Sequence, residues 1–456
     1  MKHDRLGYWL EEAGPVEACS PLDGQVRADV VVVGGGYLGM WAAWFVLEAA
    51  PDARVVVVEA ELCGHGPSGR NGGFATPFWD EMPYFRRFGD EAARAVGRAT
   101  ADSVVAIGSW CDENGVDAWY RAAPMIETST GPTQDGVWEP AVRACRELGL
   151  PEEYRALGAA EVRARCASPL FRAGAMTRVA ATVQPARLSL GLRRRLLERG
   201  VEIHERSPVL ELRRSRGDVV ARTARGAVQA RAGVLAVNWA TRRFAGFGRR
   251  LAVASSHIVL TEPVPDVLEE LGWTGGEPLC DRRTLLHYFR TTPDGRIAFG
   301  WGGGRMSPDR YEVDSDVIAR TRASLVRFFP QLAGRRITHA WGGPIDVSPT
   351  HVPVFGGDGP IHHGFGFTGN GVGPSHLGGR ILASLALDRR DELTRLPLVD
   401  PPRRLFPPEP LASAAGSLIR SALVAYDEAD EAGRRPSAPV RLVAGLPRRL
   451  GLHLPR

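Results

Sequence analysis

The stretch that decides the fold is DVVVVGGGYLG at residues 29–39, followed by RVVVVEA at residues 54–60. The segment between them is almost wholly apolar and is long enough for one helix. Parallel strands that are buried on both faces carry continuous valine runs of this kind. The order of strand, glycine-rich turn, helix and strand within about thirty residues predicts a βαβ unit of the dinucleotide-binding type.

The glycine spacing in this turn has a physical reason. In the pattern Gly34-x-Gly36-x-x-Gly39, the first glycine allows the tight turn. Gly36 lets the main chain approach a pyrophosphate, and Gly39 lets the helix pack against the strand. The start of the helix offers unpaired N–H groups and the positive end of its dipole to a diphosphate.

An acidic residue completes the nucleotide pattern. Glu59 ends the second strand, twenty residues after Gly39, and can accept hydrogen bonds from both ribose hydroxyls of an adenosine. Its charge would repel a 2′-phosphate, so the unit predicts FAD or NAD and not NADP. The predicted cofactor contacts here are Gly34, Gly36, Tyr37, Leu38, Gly39, Glu59 and Ala60.

A second glycine-rich loop, GHGPSGRNGG at residues 64–73, follows almost directly. A simple NAD enzyme does not need it, whereas the ribityl-flavin half of FAD must be carried further along the sheet with main chain against the ring. The alternative is a mobile surface loop, but its position in the chain favours the flavin. The predicted contacts are Gly66, Ser68, Gly69, Arg70, Asn71, Gly72 and Gly73.

A third glycine-rich run, GFGFTGNGVGPS at residues 364–375, opens a predicted helix over 375–387. Main-chain N–H groups at such a helix start can stabilise negative charge at the N1/C2=O edge of a reduced flavin. A tight structural turn is the alternative, but three such runs in this order indicate FAD. The predicted contacts are Gly369, Asn370, Gly371, Val372, Gly373 and Ser375.

The remaining pattern predicts the other elements. Helices are predicted over 91–114, 186–199 and 411–431. The last one lies in a proline-rich tail that we expect to be a strap on the protein surface, with a membrane or partner contact as the alternative. A strand is predicted over 201–205, a hairpin over 218–224 and 227–232, a separate buried strand over 233–237, and a β-rich region over 255–345.

Composition excludes several classes of protein. The 456 residues are 44% hydrophobic and 24% charged, enough for two packed domains and incompatible with disorder. No apolar run reaches the eighteen or so residues of a membrane span, and Asp4, Glu11 and Glu12 stand where a signal peptide would be apolar. We therefore expect a cytoplasmic protein with no membrane span.

Charge and cysteine content narrow the classes of partner and of metal site that the chain could have. Residues 401–456 hold nine Arg and five acidic residues, so this segment carries +4 of the net +5 and the rest only +1. A nucleic-acid partner is therefore not expected, because no basic face lies on the folded body. The six cysteines form no CxxC pair and are interpreted as free thiols, with no metal site.

Over roughly residues 5–395 the chain resembles the FAD-dependent oxidoreductases of the D-amino-acid oxidase, glycine oxidase and sarcosine oxidase group, most of all the gamma-glutamylputrescine-oxidase-like branch. The resemblance is carried by VVVVGGGYLG with VVVVEA, GHGPSGRNGG, TVQPARL and GFGFTGNGVGPS. It implies an α/β fold, in which a Rossmann-like FAD-binding domain carries an inserted substrate domain with a mixed β-sheet. It also implies oxidation of a C–N bond to an imine, which then hydrolyses.

The resemblance, taken with the elements, divides the chain into six segments. The FAD-binding domain is predicted over 25–100, 181–254 and 341–395, the substrate domain over 101–180 and 255–340, and the strap over 396–456. The resemblance also implies that Val209 contacts adenine through its main chain and that Asn238 follows a buried strand at the cofactor.

Two departures from the family pattern bear on the chemistry. Cys280 and His65 stand in no motif of covalent flavin attachment, so non-covalent FAD is predicted. Lys2 is the only lysine, whereas the resemblance implies a lysine beside the flavin for reaction with oxygen. His257, His287 or an arginine could supply that positive charge instead, although each histidine could equally be structural.

The substrate side is expected at a hairpin of residues 286–290 and 296–299. Strand alternation gives Tyr288 and Arg290 one face and His287 the other. If the Tyr288 face borders the substrate, Arg290 could bind a carboxylate bidentately, and a solvated or structurally paired arginine is the alternative. The flavin is expected against residues 72–76, so that Phe74 or Thr76 lies near the substrate, with an ordinary core role for Phe74 as the alternative.

These observations favour an FAD-dependent amine or amino-acid oxidoreductase, an oxidase rather than a dehydrogenase. Its partners would be a small-molecule amine or amino acid and either molecular oxygen or another electron acceptor. One alternative is oxidation of a 2-hydroxy acid or polyol, which would need His287 or His257 as a base. Others are a non-catalytic flavin-bearing subunit of a larger complex and, less favoured, a nicotinamide dehydrogenase.

Overall fold

The computed structural model describes residues 2–3, 6–306, 311 and 313–449. The side chain of Lys2 and the last residues of the predicted strap lie outside the described part. The strands are β1 (Lys2–His3), β2 (Gly24–Val33), β3 (Val55–Val58), β4 (Phe74–Ala75), β5 (Arg121–Ala122), β6 (Met125–Thr128), β7 (Tyr154–Leu157), β8 (Gly174–Thr177), β9 (Ala181–Thr182), β10 (Glu202–His204), β11 (Glu211–Ser215), β12 (Asp218–Arg222), β13 (Gly226–Leu235), β14 (Ala252–Thr261), β15 (Leu279–Asp281), β16 (His287–Thr291), β17 (Ile297–Trp301), β18 (Ile337–Val347), β19 (Val354–Asp358) and β20 (Ile361–Phe365).

The helices pack on the two large sheets or form part of the C-terminal tail. They are α1 (Tyr8–Ala13), α2 (Tyr37–Ala49), α3 (Met82–Phe85), α4 (Asp90–Glu113), α5 (Glu139–Glu147), α6 (Ala159–Arg163), α7 (Pro185–Glu198), α8 (Pro265–Glu270), α9 (Ser315–Phe328), α10 (Val372–Ala386), α11 (Leu411–Glu431), α12 (Ala438–Ala444) and α13 (Leu446–Arg449).

The valine runs form the centre of an eight-stranded sheet. β10, β3, β2 and β13 are parallel neighbours, and the edge of β13 opposite β2 pairs first with β12 of the hairpin β12–β11 and then with β20. All four residues of β3 are buried, as are the last four of β2. Helices α2 and α10 pack on one face, so their glycine-rich N-terminal turns meet at the carboxyl edge of the sheet, where such folds bind nucleotides.

Two predictions about elements were incomplete. The buried strand predicted over 233–237 is present at residues 233–235 as the second half of β13, which pairs with β12 in its first half and with β20 in its second. The β-rich region over 255–345 also contains the fourteen-residue helix α9. The other long predicted helices and the hairpin of β12 and β13 are present, with ends within a few residues of those predicted.

A nine-stranded mixed sheet forms the second large unit, in the order β1-β18-β14-β17-β16-β15-β6-β8-β7. We call its two sides the inner face, which packs against α1 and the loop of residues 64–73, and the outer face, which packs against α8 and α9. The proposed segment boundaries at 254/255 and 340/341 fall inside β14 and β18, because both strands belong to this sheet over their whole length.

Helix α11 of the C-terminal tail packs against the outer face of the nine-stranded sheet. Helix α11 begins at Leu411 and ends at Glu431, as predicted, and Glu431 pairs with Arg283 and Arg327. Among the described residues, no helix is both long and apolar enough to cross a bilayer.

Candidate flavin site and substrate face

The first glycine-rich turn is held by close main-chain contacts. Gly34 has φ +108°, and a Cβ there would lie 2.4 Å from the Ala236 carbonyl oxygen. A Cβ on Gly39 would lie 1.9 Å from the Gly34 carbonyl oxygen, so only glycine allows α2 to begin this close to β2. A side chain at either position would therefore displace the start of α2.

Glu59 binds the same turn from the end of β3. Its carboxylate accepts hydrogen bonds from the main-chain N–H of Gly35 at 2.7 Å and of Glu61 at 2.9 Å. Burial raises the pKa of this carboxyl, and the two N–H donors oppose that shift. The side chain thus stands beside the Gly34–Gly36 turn, as the nucleotide pattern requires.

Sequence reasoning missed a second buried carboxylate beneath this turn. Glu205 accepts hydrogen bonds from the N–H groups of Cys63 at 2.8 Å and Cys19 at 2.7 Å, and it forms a two-bond ion pair with Arg193. These bonds lower its pKa against the effect of burial. Glu205 therefore fixes the start of the second glycine-rich loop relative to the sheet.

The second loop folds back onto the start of α2. Ser68 Oγ accepts a hydrogen bond from the N–H of Tyr37 at 2.8 Å, and a Cβ on Gly36 would lie 3.0 Å from that oxygen. Asn71 Oδ1 accepts from the N–H of Gly73 at 2.7 Å. The first two glycine-rich motifs are therefore one structure around the N-terminus of α2.

Side chains from outside the motif bind successive carbonyls of this loop. Trp341 Nε1 donates to Arg70 O at 2.7 Å, and Trp9 Nε1 donates to Asn71 O at 2.9 Å. Arg70 in turn lies 4.3 Å from the centre of the Tyr311 ring. Sequence reasoning missed both tryptophans, which come from β18 and the short helix α1.

The third glycine-rich run is held by a buried acid that sequence reasoning also missed. Asp346, at 1% exposure, accepts hydrogen bonds from the N–H groups of Gly366 and Phe367 and from Asn238 Nδ2. Burial raises the pKa of Asp346 to about 6, while these donors lower it. The acid thus joins the predicted contact Asn238 to the loop that begins α10.

The contacts of the third run extend to the strand after the second loop. A Cβ on Gly373 would lie 3.1 Å from the Thr76 carbonyl oxygen, and Asn370 Nδ2 donates to the same oxygen at 3.5 Å. All three glycine-rich segments therefore meet at one edge of the eight-stranded sheet. Val209 packs against the apolar cluster that contains valine side chains of β2 and β3.

The polar atoms at this edge fit a flavin nucleotide. The Oδ1 atoms of Asn238 and Asn370 are buried and accept no hydrogen bond from the described residues. At Gly369, with φ +90°, no atom lies within 4 Å of where a Cβ would stand. The unpaired amide oxygens can accept hydrogen bonds from hydroxyl and N–H groups of FAD. The two helix N-termini suit its diphosphate, and the turn at Gly369 leaves open space beside the main chain.

Tyr288 and Arg290 lie on the inner face of the nine-stranded sheet. The Tyr288 ring meets the Phe74 ring edge to face at 5.7 Å, and a Cβ on Gly72 would lie 2.9 Å from Tyr288 Cε2. Two predicted substrate residues, Tyr288 and Phe74, are thus in contact beside the second loop. Thr76, also predicted near the substrate, is 8% exposed.

Arg290 is engaged by main chain. It is 1% exposed, lies 5.5 Å from the Trp9 ring centre, and donates to the carbonyl oxygens of Val183, Gly73 and Thr291. Desolvation, with a smaller effect of Arg121, lowers its pKa to about 9. Because the guanidinium already has hydrogen-bond partners, this geometry favours a role for Arg290 in holding the second glycine-rich loop. The predicted binding of a substrate carboxylate is less favoured.

His287 and His257 lie on the outer face, away from the second loop. His287 Nδ1 is 2.6 Å from Asp281, and its ring packs against Phe299 and Phe328. Burial lowers its pKa, and Asp281 opposes that shift. His257 pairs across the sheet with Trp301, as does His287. A role for either ring beside the flavin, suggested by the sequence, is not favoured by this position.

A polar cluster on the inner face was not expected from the sequence. Glu127 Oε2 accepts hydrogen bonds from Tyr154 Oη at 2.7 Å and Arg282 Nη1 at 2.6 Å. Cys280, the cross-strand neighbour of Tyr288 and Glu127, is buried beside them. Burial and the charge of Glu127 raise the pKa of this thiol, so it is an unreactive neutral group.

Comparison with known proteins agrees with this geometry. The family model described as DAO, FAD dependent oxidoreductase, matches residues 29–385. Gamma-glutamylputrescine oxidoreductase of Escherichia coli is 27% identical over 411 residues, which cover 87% of this chain and 93% of the relative. The probable oxidoreductase OrdL of Haemophilus influenzae is 26% identical over 396 residues, 85% of this chain and 89% of the relative.

Solved structures share the fold. Glycine oxidase from Geobacillus kaustophilus superposes with a TM-score of 0.69 at 18% identity, covering 82% of this chain and 98% of that one. L-amino acid deaminase from Proteus vulgaris superposes with a TM-score of 0.66 at 19% identity, covering 84% and 96%. With its three glycine-rich segments at one sheet edge and the family model matched across both sheets, the chain belongs to the DAO family of FAD-dependent oxidoreductases.

Proposed function

We propose that this protein oxidises the C–N bond of an amine or amino acid, with the substrate on the inner face of the nine-stranded sheet beside Tyr288. The product is an imine, which water hydrolyses to a carbonyl compound and ammonia or an amine. Relatives named for gamma-glutamylputrescine, glycine and L-amino acids support this substrate class.

The proposal rests on the position of the two histidines. Oxidation of a 2-hydroxy acid or polyol needs a base for the hydroxyl proton, and His287 and His257 are the candidates that the sequence offers. Both lie on the outer face, and His287 is held there by Asp281. Oxidation of a neutral amine needs no such base, since the nitrogen lone pair forms the imine as hydride leaves carbon.

The residues of the inner face would bind and orient the substrate. FAD, when bound, accepts the hydride at N5. The rings of Tyr288 and Phe74 exclude water from the reacting carbon, and the Tyr288 hydroxyl can form a hydrogen bond with the substrate nitrogen. Trp9, Trp341 and Arg290 keep the main chain of the second loop fixed during turnover.

We infer the electron acceptor from the positive charges of the same region. The one lysine, Lys2, lies in the N-terminal arm, whereas Arg290 is a buried cation whose Nη1 lies 3.4 Å from Gly73 O. A fixed positive charge near a flavin favours reduction of oxygen by stabilising developing negative charge. We therefore propose an oxidase, with non-covalent FAD, in preference to a dehydrogenase.

Anaerobic mixing of the holoenzyme with amines, amino acids and 2-hydroxy acids tests the proposal. We expect the visible absorbance of the oxidised flavin to bleach with at least one amine or amino acid and to return when air is admitted. Bleaching by hydroxy acids alone would contradict the substrate class, and failure of air to restore the colour would favour another acceptor.

A further inference from the structure

Two hydroxyl groups meet on the inner face, beside the second glycine-rich loop. Ser256, on β14, and Tyr288, on β16, lie on either side of β17, and their side-chain oxygens are 2.7 Å apart. The tyrosine ring reaches across β17 because residue 300 is glycine: a Cβ there would lie 2.1 Å from Tyr288 Cζ. The contact is therefore built into three neighbouring strands.

The direction of this hydrogen bond follows from a third partner. Ser256 Oγ also lies 3.1 Å from the carbonyl oxygen of Trp301. A carbonyl can only accept, and a serine hydroxyl has one hydrogen to give. Ser256 must therefore donate to Trp301 O and accept from Tyr288, so the hydroxyl hydrogen of Tyr288 is committed to Ser256.

The tyrosine oxygen keeps only acceptor capacity. Tyr288 forms no other side-chain hydrogen bond with the described residues, and its side chain is only half-buried. Burial raises its pKa to about 12, so the hydroxyl stays protonated at neutral pH and the direction of the bond persists. Towards the substrate, Tyr288 thus presents lone pairs and no hydrogen.

We propose that Ser256 is a positioning residue that fixes the Tyr288 hydroxyl as a hydrogen-bond acceptor, so that the site prefers ligands with an N–H donor, such as amines, to ligands with a carboxylate at the same place. The inference rests on the proposed function in one respect, that Tyr288 borders the substrate. It adds a residue outside every motif that the sequence offers, and it gives the preference for amines a structural cause.

Two probes that share an isopropyl group test the direction of the bond. Isopropylamine carries a donor and isobutyrate an acceptor on this group, and binding of each to the holoenzyme is measured by perturbation of the flavin spectrum. In Ser256→Ala the Tyr288 hydroxyl is free to turn and donate. We expect isopropylamine to bind about 5- to 10-fold more weakly and isobutyrate several-fold more tightly than in the wild type, a shift in ratio matching about 1–2 kcal/mol for one hydrogen bond.

A double-variant cycle separates this effect from general damage. In a Tyr288→Phe background, Ser256→Ala should leave the ratio of the two affinities unchanged, because no hydroxyl remains to be oriented. Ser256→Cys, close in size and a weaker donor, should give an intermediate ratio and serves as the test variant if Ser256→Ala does not retain FAD. An unchanged ratio in both serine variants, or an equal shift in the Tyr288→Phe background, overturns the proposal.

The two failures can be told apart. If amines bleach the flavin but the affinity ratio does not respond to Ser256, the reaction stands and the hydrogen-bond direction is wrong. If the ratio shifts as expected but amines never bleach the flavin, the direction stands and the proposed reaction is wrong. If neither probe perturbs the wild-type spectrum, Tyr288 does not border the ligand and the inference fails.

Discussion

At the scale of the single residue, a side chain at Gly36 would affect the proposed cofactor site more directly than the fold. It lies at the N-terminus of α2 with Ser68 Oγ 3.0 Å from the position of a Cβ, so any larger side chain must enter the diphosphate region. We predict that Gly36→Leu is purified without FAD. Gly334→Leu is the matched control, because nothing lies within 4 Å of its Cβ position, and it should remain yellow. Full flavin content in Gly36→Leu would refute the assignment of the first motif.

Replacing Arg290 tests whether its buried guanidinium holds the second glycine-rich loop or binds the substrate. Methionine at this position fills similar volume but removes the Arg290 donor from the Val183 carbonyl, at a cost of about 1–3 kcal/mol, and leaves the Gly73 carbonyl only its bond from the Val183 N–H. We predict that Arg290→Met weakens FAD binding to the apoprotein, measured by fluorescence titration, and lowers the thermal midpoint. Arg121→Met, at an exposed position, is the control.

The opposite outcome for Arg290 is equally clear. If the guanidinium binds a substrate carboxylate, Arg290→Met should keep its FAD affinity and lose only affinity for carboxylate-bearing substrates, by roughly 2–4 kcal/mol for a buried charge pair. Measuring KM for an amino acid and for the amine without its carboxylate separates the two cases. An unchanged FAD affinity would restore the carboxylate interpretation.

At the scale of the element, local signals decided what could be predicted. The valine runs, the glycine spacings and the prolines before α11 are contained in short windows, so the βαβ unit, the three loops and the tail helix follow from the sequence. Helix α9 was missed because its surroundings alternate like strands. One signal could have found it: Asp314 caps its N-terminus by accepting hydrogen bonds from the N–H groups of Asp316 and Val317.

The residues that support the site have no such local signal. Asp346 binds Asn238 across 108 positions, and Trp341 binds Arg70 across 271. No local sequence pattern distinguishes such an acid or tryptophan from the others, because its partner is brought close only by the fold. For the same reason the two histidines of the sheet could not be assigned to a face before the strand register was known.

The packing of α10 on α2 gives a prediction about acid. His376 lies between Trp41 and Phe45, with ring centres 4.8 and 5.0 Å away, and burial lowers its pKa to about 3. The unfolded chain, with an ordinary histidine pKa near 6.5, takes up the proton as pH falls while the folded protein does not, so stability is lost below about pH 6.5 at about 1.4 kcal/mol per pH unit.

Phenylalanine keeps the aromatic contacts of His376 and removes the proton. We predict that His376→Phe gains about 2–3 kcal/mol in unfolding free energy relative to the wild type between pH 7.5 and pH 4.5, measured by urea denaturation at both values. A difference between the two proteins that stays constant over this range would mean that the folded protein takes up this proton as readily as the unfolded chain.

At the scale of the whole molecule, the nine-stranded sheet separates two polar regions. Its inner face carries Tyr288, Ser256 and Arg290 beside the second glycine-rich loop. Its outer face carries His287 and Asp281 beneath α9 and α11. Beneath the tail helix, a cavity of about 120 Å³ is lined by His287, Arg283 and Asp427 among others. The tail thus covers buried charge on the side of the sheet remote from the proposed chemistry.

The ion pairs of Glu431 hold this cover in place. Glu431 is 7% exposed and pairs with Arg283, which is 6% exposed, and with Arg327 at 2.8 Å. Arg283 also lies 3.6 Å from Asp281, so removing Glu431 leaves its charge partly compensated. The cost is therefore below the about 3–5 kcal/mol for breaking an isolated buried pair but above the about 0–1 kcal/mol of an exposed pair. Glu428, on the same helix, is 55% exposed and lies 3.9 Å from Arg320.

We therefore predict that Glu431→Gln releases α11 and that Glu428→Gln does not. Hydrogen exchange in residues 411–431 should become much faster in Glu431→Gln, and the thermal midpoint should fall, while Glu428→Gln should match the wild type in both measurements. FAD content should be unchanged in either variant, because the three glycine-rich loops lie on the other side of the sheet. Loss of FAD from Glu431→Gln would mean that the tail and the flavin site are coupled through the sheet, and equal exchange in the two variants would mean that apolar contacts, and not this pair, hold the tail.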